Sequence, residues 1–278
     1  MRRLASRPSR GFVISTAFKT LAALAVIGAL FHGADAKAAD AEPQACPTAA
    51  DAIDTDRPDT TNSSETIPAG SLQLENGINI ADWADGTRLD GTNSRVRLGL
   101  VDCGEILVDI PDYSFSPRAG GVRGFTSFAP AAKWELQGLP TGLQASVVAG
   151  ALLPTGPASN GNNITRPYLQ LPWSQEIGGD FSLHGMLTQT WMPGQVSDSL
   201  FEETLSLERE LGENADAFVE YVGDYPQHQT ASQVLNFGGA WRFTRLQQID
   251  FHAGFGFNRQ SPRSYIGFGY SLRADNLF

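Results

Sequence analysis

The sequence predicts an all-β fold, a transmembrane antiparallel up-and-down β-barrel of about twelve strands. Three observations lead there. The chain opens with an export signal, it contains no later segment able to cross a bilayer as a helix, and its remainder is dominated by alternation of apolar with polar or tiny residues. Among 278 residues there are 29 Gly and 16 Phe, and only 18% are charged. That composition is poor in the charged, Ala- and Leu-rich periodicity of helical proteins.

Arg2, Arg3, Arg7, Arg10 and Lys19 precede an apolar run over 21–31, followed by Ala34-Asp35-Ala36 or Ala36-Lys37-Ala38. A basic start, a short apolar stretch and an A-x-A exit read as a secretory signal peptide over 1–36. No lipobox precedes Cys46, so a lipoprotein is not expected. Cleavage after Ala36 removes five basic residues and Asp35, which makes the mature chain more acidic than the net −10 of the whole. An acidic mature chain argues against nucleic acid as a partner. No later stretch approaches the roughly 18 consecutive apolar residues of a membrane helix. A membrane-spanning mature chain must therefore be a closed barrel, the only other architecture that satisfies every backbone group in lipid.

Alternation and breakers mark strands over 71–81, 93–101, 105–111, 125–137, 142–153, 165–177, 180–192, 199–211, 215–223, 233–243, 249–258 and 266–273. The last pair displays the period most clearly. Ile249, Phe251, Ala253, Phe255 and Phe257 alternate with Asp250, His252, Gly254, Gly256 and Asn258. In a strand these two sets face opposite ways. Connections near Cys103, Gly138, Gly178, Gly212 and Arg245 are short, and those between them, beginning with a loop from Asp85-Gly86 to Gly91, tend to be longer. Short turns on the periplasmic side and longer loops outside put both termini in the periplasm. Cys46 and Cys103 then fall on the same side, and two cysteines in an exported chain predict one disulfide tying the N-terminal segment to the rim. The organisation expected is a signal peptide over 1–36, an irregular periplasmic segment over 37–69 and a barrel over 70–278. A soluble β-sandwich is the competing fold, disfavoured by the many charges opposite the apolar faces and by aromatic residues near strand ends.

Two stretches carry a resemblance. Thr55-Asp56-Arg57-Pro58-Asp59 is followed by a Ser/Thr-rich run over 60–65, by Pro68-Ala69-Gly70 and by Gln73-Leu74-Glu75-Asn76-Gly77; Lys133-Trp134 comes later. Together they resemble the signature of a family of bacterial outer-membrane proteins named for the MetA pathway of phenol degradation, with Ile67 where Val is usual. The closing hairpin, ending at Phe278, resembles the last strands of outer-membrane barrels, whose terminal aromatic is read by the barrel-assembly machinery. The resemblance implies residence in the bacterial outer membrane and contact with its lipid. It also implies passive uptake of small solutes, with aromatic or hydrophobic compounds as the suggested class.

Alternation turns Glu75, Arg95, Arg97, Glu105, Asp109, Lys133, Glu135, Arg166, Glu176, His184, Glu202, Glu208, Glu220, Arg242, Asp250, His252 and Arg273 to the polar face, as candidates to line the lumen. Mixed charge there builds either a salt-bridge network that closes the barrel or a transverse field that sorts solutes. For Asp56, Arg57 and Asp59 the preferred reading is an ion-pair cluster fixing the N-terminus to the rim turns, with a plug in the barrel mouth as the alternative. An outer-membrane hydrolase and a closed structural barrel are the rival functions. The mature chain offers His184, His228 and His252 as bases; Ser182 and His184 share a face, but no G-x-S-x-G surrounds any Ser. Short loops argue against adhesion. No zinc, calcium or phosphate-loop pattern is present, so no metal, cofactor or enzymatic activity is expected.

Overall fold

In the structure, a computed structural model, residues 45–117, 123–140, 142–156, 164–194 and 197–278 are described. The signal peptide expected over 1–36 lies outside them. The strands are β1 (Leu72–Trp83), β2 (Gly86–Val101), β3 (Gly104–Asp109), β4 (Tyr113–Phe115), β5 (Arg123–Phe125), β6 (Ala129–Glu135) and β7 (Leu143–Leu152). They continue as β8 (Arg166–Gly178), β9 (Phe181–Trp191), β10 (Ser199–Glu210), β11 (Ala215–Pro226), β12 (Ser232–Thr244), β13 (Gln247–Gly256) and β14 (Ser264–Ala274). Every pairing is antiparallel. β1 pairs on one edge with β2 and on the other with β14, from Leu72 opposite Ala274 to Asp82 opposite Ser264. That last pairing closes a 12-strand barrel, with β4 and β5 outside the ring.

The two faces of each strand invert the arrangement of a water-soluble protein. Gln73, Glu75, Arg97, Glu220 and Ser271 point inward with 0% exposure, whereas Ile78, Phe268, Trp241 and Trp134 are more than half exposed on the outer face. Outward apolar groups meet lipid, and inward polar groups meet one another. Aromatics gather near strand ends. Trp134, Trp241 and Phe243 stand close to the rim of short turns, while Trp191, Phe255 and Phe257 stand close to the opposite rim. These are the two interfacial girdles of a membrane barrel.

Two expectations are corrected. The loop expected from Asp85-Gly86 to Gly91 is strand. β1 and β2 are joined by Ala84-Asp85 alone, and Gly86 enters β2 at φ 128°, where a side chain would be strained. The first odd-numbered connection is therefore tight, not long. The stretch between the strands expected over 105–111 and 125–137 contains the β4–β5 hairpin, which pairs with the extended part of β2 at Leu89, Asp90 and Gly91, and the fourth barrel strand starts at Ala129, not at 125. The connections at 102–103, 179–180, 211–214 and 245–246 are short, as expected; the one expected to be short near Gly138 runs over 136–142, because β6 ends at Glu135 and β7 starts at Leu143. Cys46 and Cys103 form the expected disulfide.

The outward face makes a quantitative prediction. Phe268, 59% exposed at the middle of β14 and 5.0 Å from Phe251 ring to ring, sits at the depth where a charge costs most. Phe268→Arg should lower the folding free energy in lipid vesicles by about 2–4 kcal/mol. A denaturation midpoint unchanged from wild type would place this position outside the hydrocarbon layer.

Candidate functional site: a lumen closed by the N-terminal segment

Residues 45–71 form no strand. Pro47, Pro58 and Pro68 each remove a backbone donor, and the Asp, Ser and Thr between them satisfy neighbouring backbone locally. Thr48 Oγ and its own N–H both donate to Asp51, and the Ser63 N–H donates to Asp56 Oδ1 at 2.9 Å. The segment starts at the short-turn rim, where Arg245 donates to the carbonyls of Ala49 and Asp51 and Arg273 to those of Asp51 and Ala52. It then enters the lumen and returns to the same rim, where the Gly70 N–H donates to Gly99 O at 2.9 Å. Of the two readings weighed for Asp56, Arg57 and Asp59, the plug is the one observed; the rim cluster is replaced by contacts deep in the barrel.

An irregular backbone inside a barrel has no ladder to join, so its N–H groups need other acceptors. Inward carboxylates supply them. Glu75 accepts from the Asp56 N–H at 3.1 Å, and Glu220 accepts from those of Thr60 and Thr61 at 2.9 and 2.8 Å. Glu135 accepts from Thr66 at 3.3 Å and Glu105 from Ile67 at 2.8 Å. Such charge-assisted bonds contribute about 1.5–3 kcal/mol each, the stronger end of the hydrogen-bond range.

Asp56 is the electrostatic centre. Arg95 Nη1 lies 2.9 Å from it, Lys133 Nζ 3.6 Å and Arg97 Nη1 3.7 Å. Burial alone would raise its carboxyl; Arg97, Lys133 and Arg95 outweigh that and hold it well below the usual carboxylate range. Arg97 also pairs with Glu105 at 2.9 Å and Glu75 at 3.3 Å, and Arg95 with Asp109 at 2.6 Å. Arg57 pairs with Asp250 at 3.2 Å. The Arg57 guanidinium lies over Gly77 of β1 and against Gly269 of β14, where a methyl group at either glycine would collide with it.

The two halves of the N-terminal motif therefore meet in space. Gln73, Glu75 and Gly77 all face inward on β1: Gln73 Nε2 donates to Asp54 O at 2.6 Å, Glu75 receives Asp56, and Gly77 makes room for Arg57. Asp-Arg-Pro-Asp is the plug, and Gln-x-Glu-x-Gly is its seat.

The plug leaves two spaces. A vestibule of about 1010 Å³ opens toward the rim of longer connections, and a chamber of about 120 Å³ lies on the short-turn side. Arg57, Pro58 and Asp59 line both and form the partition. Of the residues predicted to line the lumen, Glu75, Arg95, Asp109, Arg166, Glu202 and His252 border the vestibule, and His184, Glu208 and Arg242 the lower chamber. Arg97, Glu105, Lys133, Glu135 and Glu220 are buried against the plug. Arg242 pairs with Asp216 at 3.1 Å, Arg273 fastens the segment at the rim, and Glu176 is exposed. Sequence reasoning missed Asp224 and Asn236, both facing the vestibule. Asp224 lies beyond the predicted strand end at 223, because β11 continues to Pro226. His184 Nε2 lies 2.7 Å from Ser182 Oγ and 3.7 Å from Glu208 Oε2. Both partners approach the same ring nitrogen, unlike a catalytic relay, in which the orienting acid holds the other one.

A closed ring, an outward apolar band with two aromatic girdles and a polar lumen define an outer-membrane β-barrel, here occluded by its own N-terminal segment. The chain belongs to the family described as "Putative MetA-pathway of phenol degradation", whose model matches residues 55–274. No curated protein sequence matches it. Among solved structures it is similar to the COG4313 outer membrane channel from Pseudomonas putida F1, with a TM-score of 0.59 at 10% identity over 76% of this chain and 98% of that one. It is also similar to the KdgM porin, with a TM-score of 0.52 at 6% identity, and to the NanC porin, with 0.51 at 8%; each covers 73% of this chain and 98% of the porin. At these identities the likeness is one of fold.

Two outcomes are expected of the plug. Gly77→Val should unseat Arg57 while leaving the barrel closed, so that endoproteinase Glu-C cuts after Glu65 in the folded variant and spares the wild type; equal resistance would remove Gly77 from the seat. The second concerns pH. Removal from water, then the charge of Asp54, pushes the Glu65 carboxyl up to about 7 from 4.5, against a hydrogen bond from Gln144. The folded state thus holds a proton that the unfolded chain releases, and the associated stability is present below pH 4.5 and lost as pH rises through about 7. Urea midpoints should fall across that interval, and Glu65→Gln should flatten the fall.

Proposed function

We propose that the protein passes small solutes across the outer membrane by diffusion through its lumen, with the N-terminal segment as the gate. The observation that carries this reading is the partition itself. Arg57, Pro58 and Asp59 separate a vestibule of about 1010 Å³ from the lower chamber, so a local displacement of one stretch of backbone joins the two. Solved relatives of the same fold are described as channels and porins, which supports the reading. The short-turn rim, with Cys46, Cys103 and the start of β1, is assigned to the periplasm, the outer face to membrane lipid, and Phe278 to recognition by the barrel-assembly machinery. The family description favours aromatic cargo. The lining adds a constraint: charged groups stand beside Leu152, Val222 and Val234, which suits a compact solute with a polar handle better than a pure hydrocarbon.

We assign the protein no catalytic step, and Ser182 and His184 a structural one, because Glu208 and Ser182 compete for one nitrogen. Refolded protein should release no fatty acid from mixed phospholipid micelles.

Single-channel recording of the refolded mature protein in planar bilayers tests the gate. Wild type should open rarely and to low conductance. A chain lacking 54–65, and a Cys46→Ala/Cys103→Ala variant to a lesser degree, should open more often and wider. Identical records from all three would rule out gating by this segment.

A further inference from the structure

The charges of the lumen are segregated, and the segregation names a cargo class. On the side of β2, β3 and β6 the cations Arg95, Arg97 and Lys133 are held in pairs with Asp56, Glu75, Glu105 and Asp109. Arg57 is held by Asp250. The β10–β11 wall carries acids and no cation at its inward positions. Glu202 and Asp224 face each other in register at the vestibule and are hydrogen-bonded side chain to side chain, Glu220 stands further down β11, and Glu208 faces the lower chamber with Asp216, which Arg242 of β12 pairs. Asp59, from the partition, borders both spaces. Among the described residues the ion pairs of the lumen leave Glu202, Asp224, Asp59 and Glu220 without a Lys or Arg partner. The acids form a file along one wall that runs through the partition.

A second, independent observation points to a ligand. Asn236 is 2% exposed and borders the vestibule; its Nδ2 donates to Glu220 at 2.9 Å, but its Oδ1 has no partner. His252, 5% exposed and also on the vestibule wall, has an unpartnered Nδ1. Buried polar atoms without partners are costly; Asn236 Oδ1 is a free acceptor just behind the vestibule wall, and His252 Nδ1 is another in the tautomer that carries its proton on Nε2. Among the described residues no three His, Cys, Asp or Glu converge to hold a metal ion. Acids strung along a wall suit a passing cation better than a resident one. Val222, between Glu220 and Asp224 on β11, and Val234 on β12 supply an apolar surface beside the acids.

We propose that the lumen selects a solute carrying an ammonium or guanidinium group on a compact apolar body, and that this group follows the β10–β11 wall from Glu202 and Asp224 past Asp59. The proposal rests on the channel reading and sharpens its cargo. Neutral aromatics of the same size lack the group that the acids and the Asn236 and His252 acceptors bind. Anions are repelled by the same wall.

The test uses benzylamine and benzyl alcohol, matched in size and differing in charge. Refolded mature protein is recorded in a planar bilayer with a KCl gradient, and each probe is added to either side in turn. The reversal potential should report a preference for K⁺ over Cl⁻, and benzylamine should block openings at about tenfold lower concentration than benzyl alcohol. E202Q/D224N, checked for unchanged gel mobility without heating, should bring the two probes together and shrink the K⁺ preference. If the double variant does not fold, E202Q alone should move both readouts in the same direction. Equal block by both probes, a Cl⁻ preference, or an unchanged variant would overturn the proposal while leaving the channel standing. A folded wild type that never opens would instead count against the channel, and calorimetric titration with benzylamine would then decide the site. Binding weakened about tenfold in E202Q/D224N supports it, and absent or unchanged binding overturns it.

Discussion

The structure depends on a set of hydrogen bonds between inward carboxylates of the barrel and backbone N–H groups of a segment that has no secondary structure of its own. Glu75, Glu105, Glu135 and Glu220 project from four strands around the ring and each takes up donors of the plug. A strand would have satisfied those donors with carbonyls, but a strand cannot turn through the lumen and return to its own rim. Carboxylates on the wall permit a path that no ladder permits. They also carry charge into a confined space; Arg97 answers that of Glu75 and Glu105, and Arg95, Arg97 and Lys133 together surround Asp56 of the plug. Breaking one partner of such a group leaves a buried charge uncompensated, so the plug and the wall are energetically one unit.

The outer surface obeys a different solvent. Where each strand meets lipid, Ile78, Phe268 and Trp241 stand exposed; one residue away along the same strands, Gly77, Gly267 and Ala240 leave space or stay covered. The barrel is thus decided by two contrasts, lipid against wall and wall against plug, and only the first has the period of the strand.

That distinction explains what could be read from the sequence. The dyad alternation of Ile249 to Asn258 or of Ile266 to Arg273 is produced by the lipid–lumen contrast, which acts on every residue of a strand, so the strands, their number around the ring and the inward charges were legible. The β4–β5 hairpin was not, because strands of three residues are too short to display a period. The start of β2 was hidden because Asp85-Gly86 and Gly91 read as breakers, while the pairing of Thr87 with Asp82 and Leu89 with Ile80 is decided by β1. The placement of Asp56 and Arg57 was illegible for a deeper reason. A polar irregular segment has no period to declare its surroundings, and its main partners are found through backbone N–H groups that every residue possesses. One trace was present: Gln73, Glu75 and Gly77 share the inward face of β1, and a glycine there, beside two polar side chains, marks a place where something must fit. Asp224, the residue opposite Glu202, is hidden because Gly223 reads as the end of its strand.

The disulfide at Cys46 and the first pairings of β1 anchor the two ends of the plug to the same rim, so the segment is a covalently closed strap across the barrel mouth. A strap differs mechanically from a free tail. Tension applied to the chain upstream of Cys46 passes through the sulfur bridge into the β2–β3 turn and bypasses Asp56 and Arg57 altogether. The segment cannot be drawn out like a cork on a string by anything that grips the N-terminus. Motion is left to the stretch between the anchors, which can bow or flatten within the lumen and return to its seat without ever leaving it.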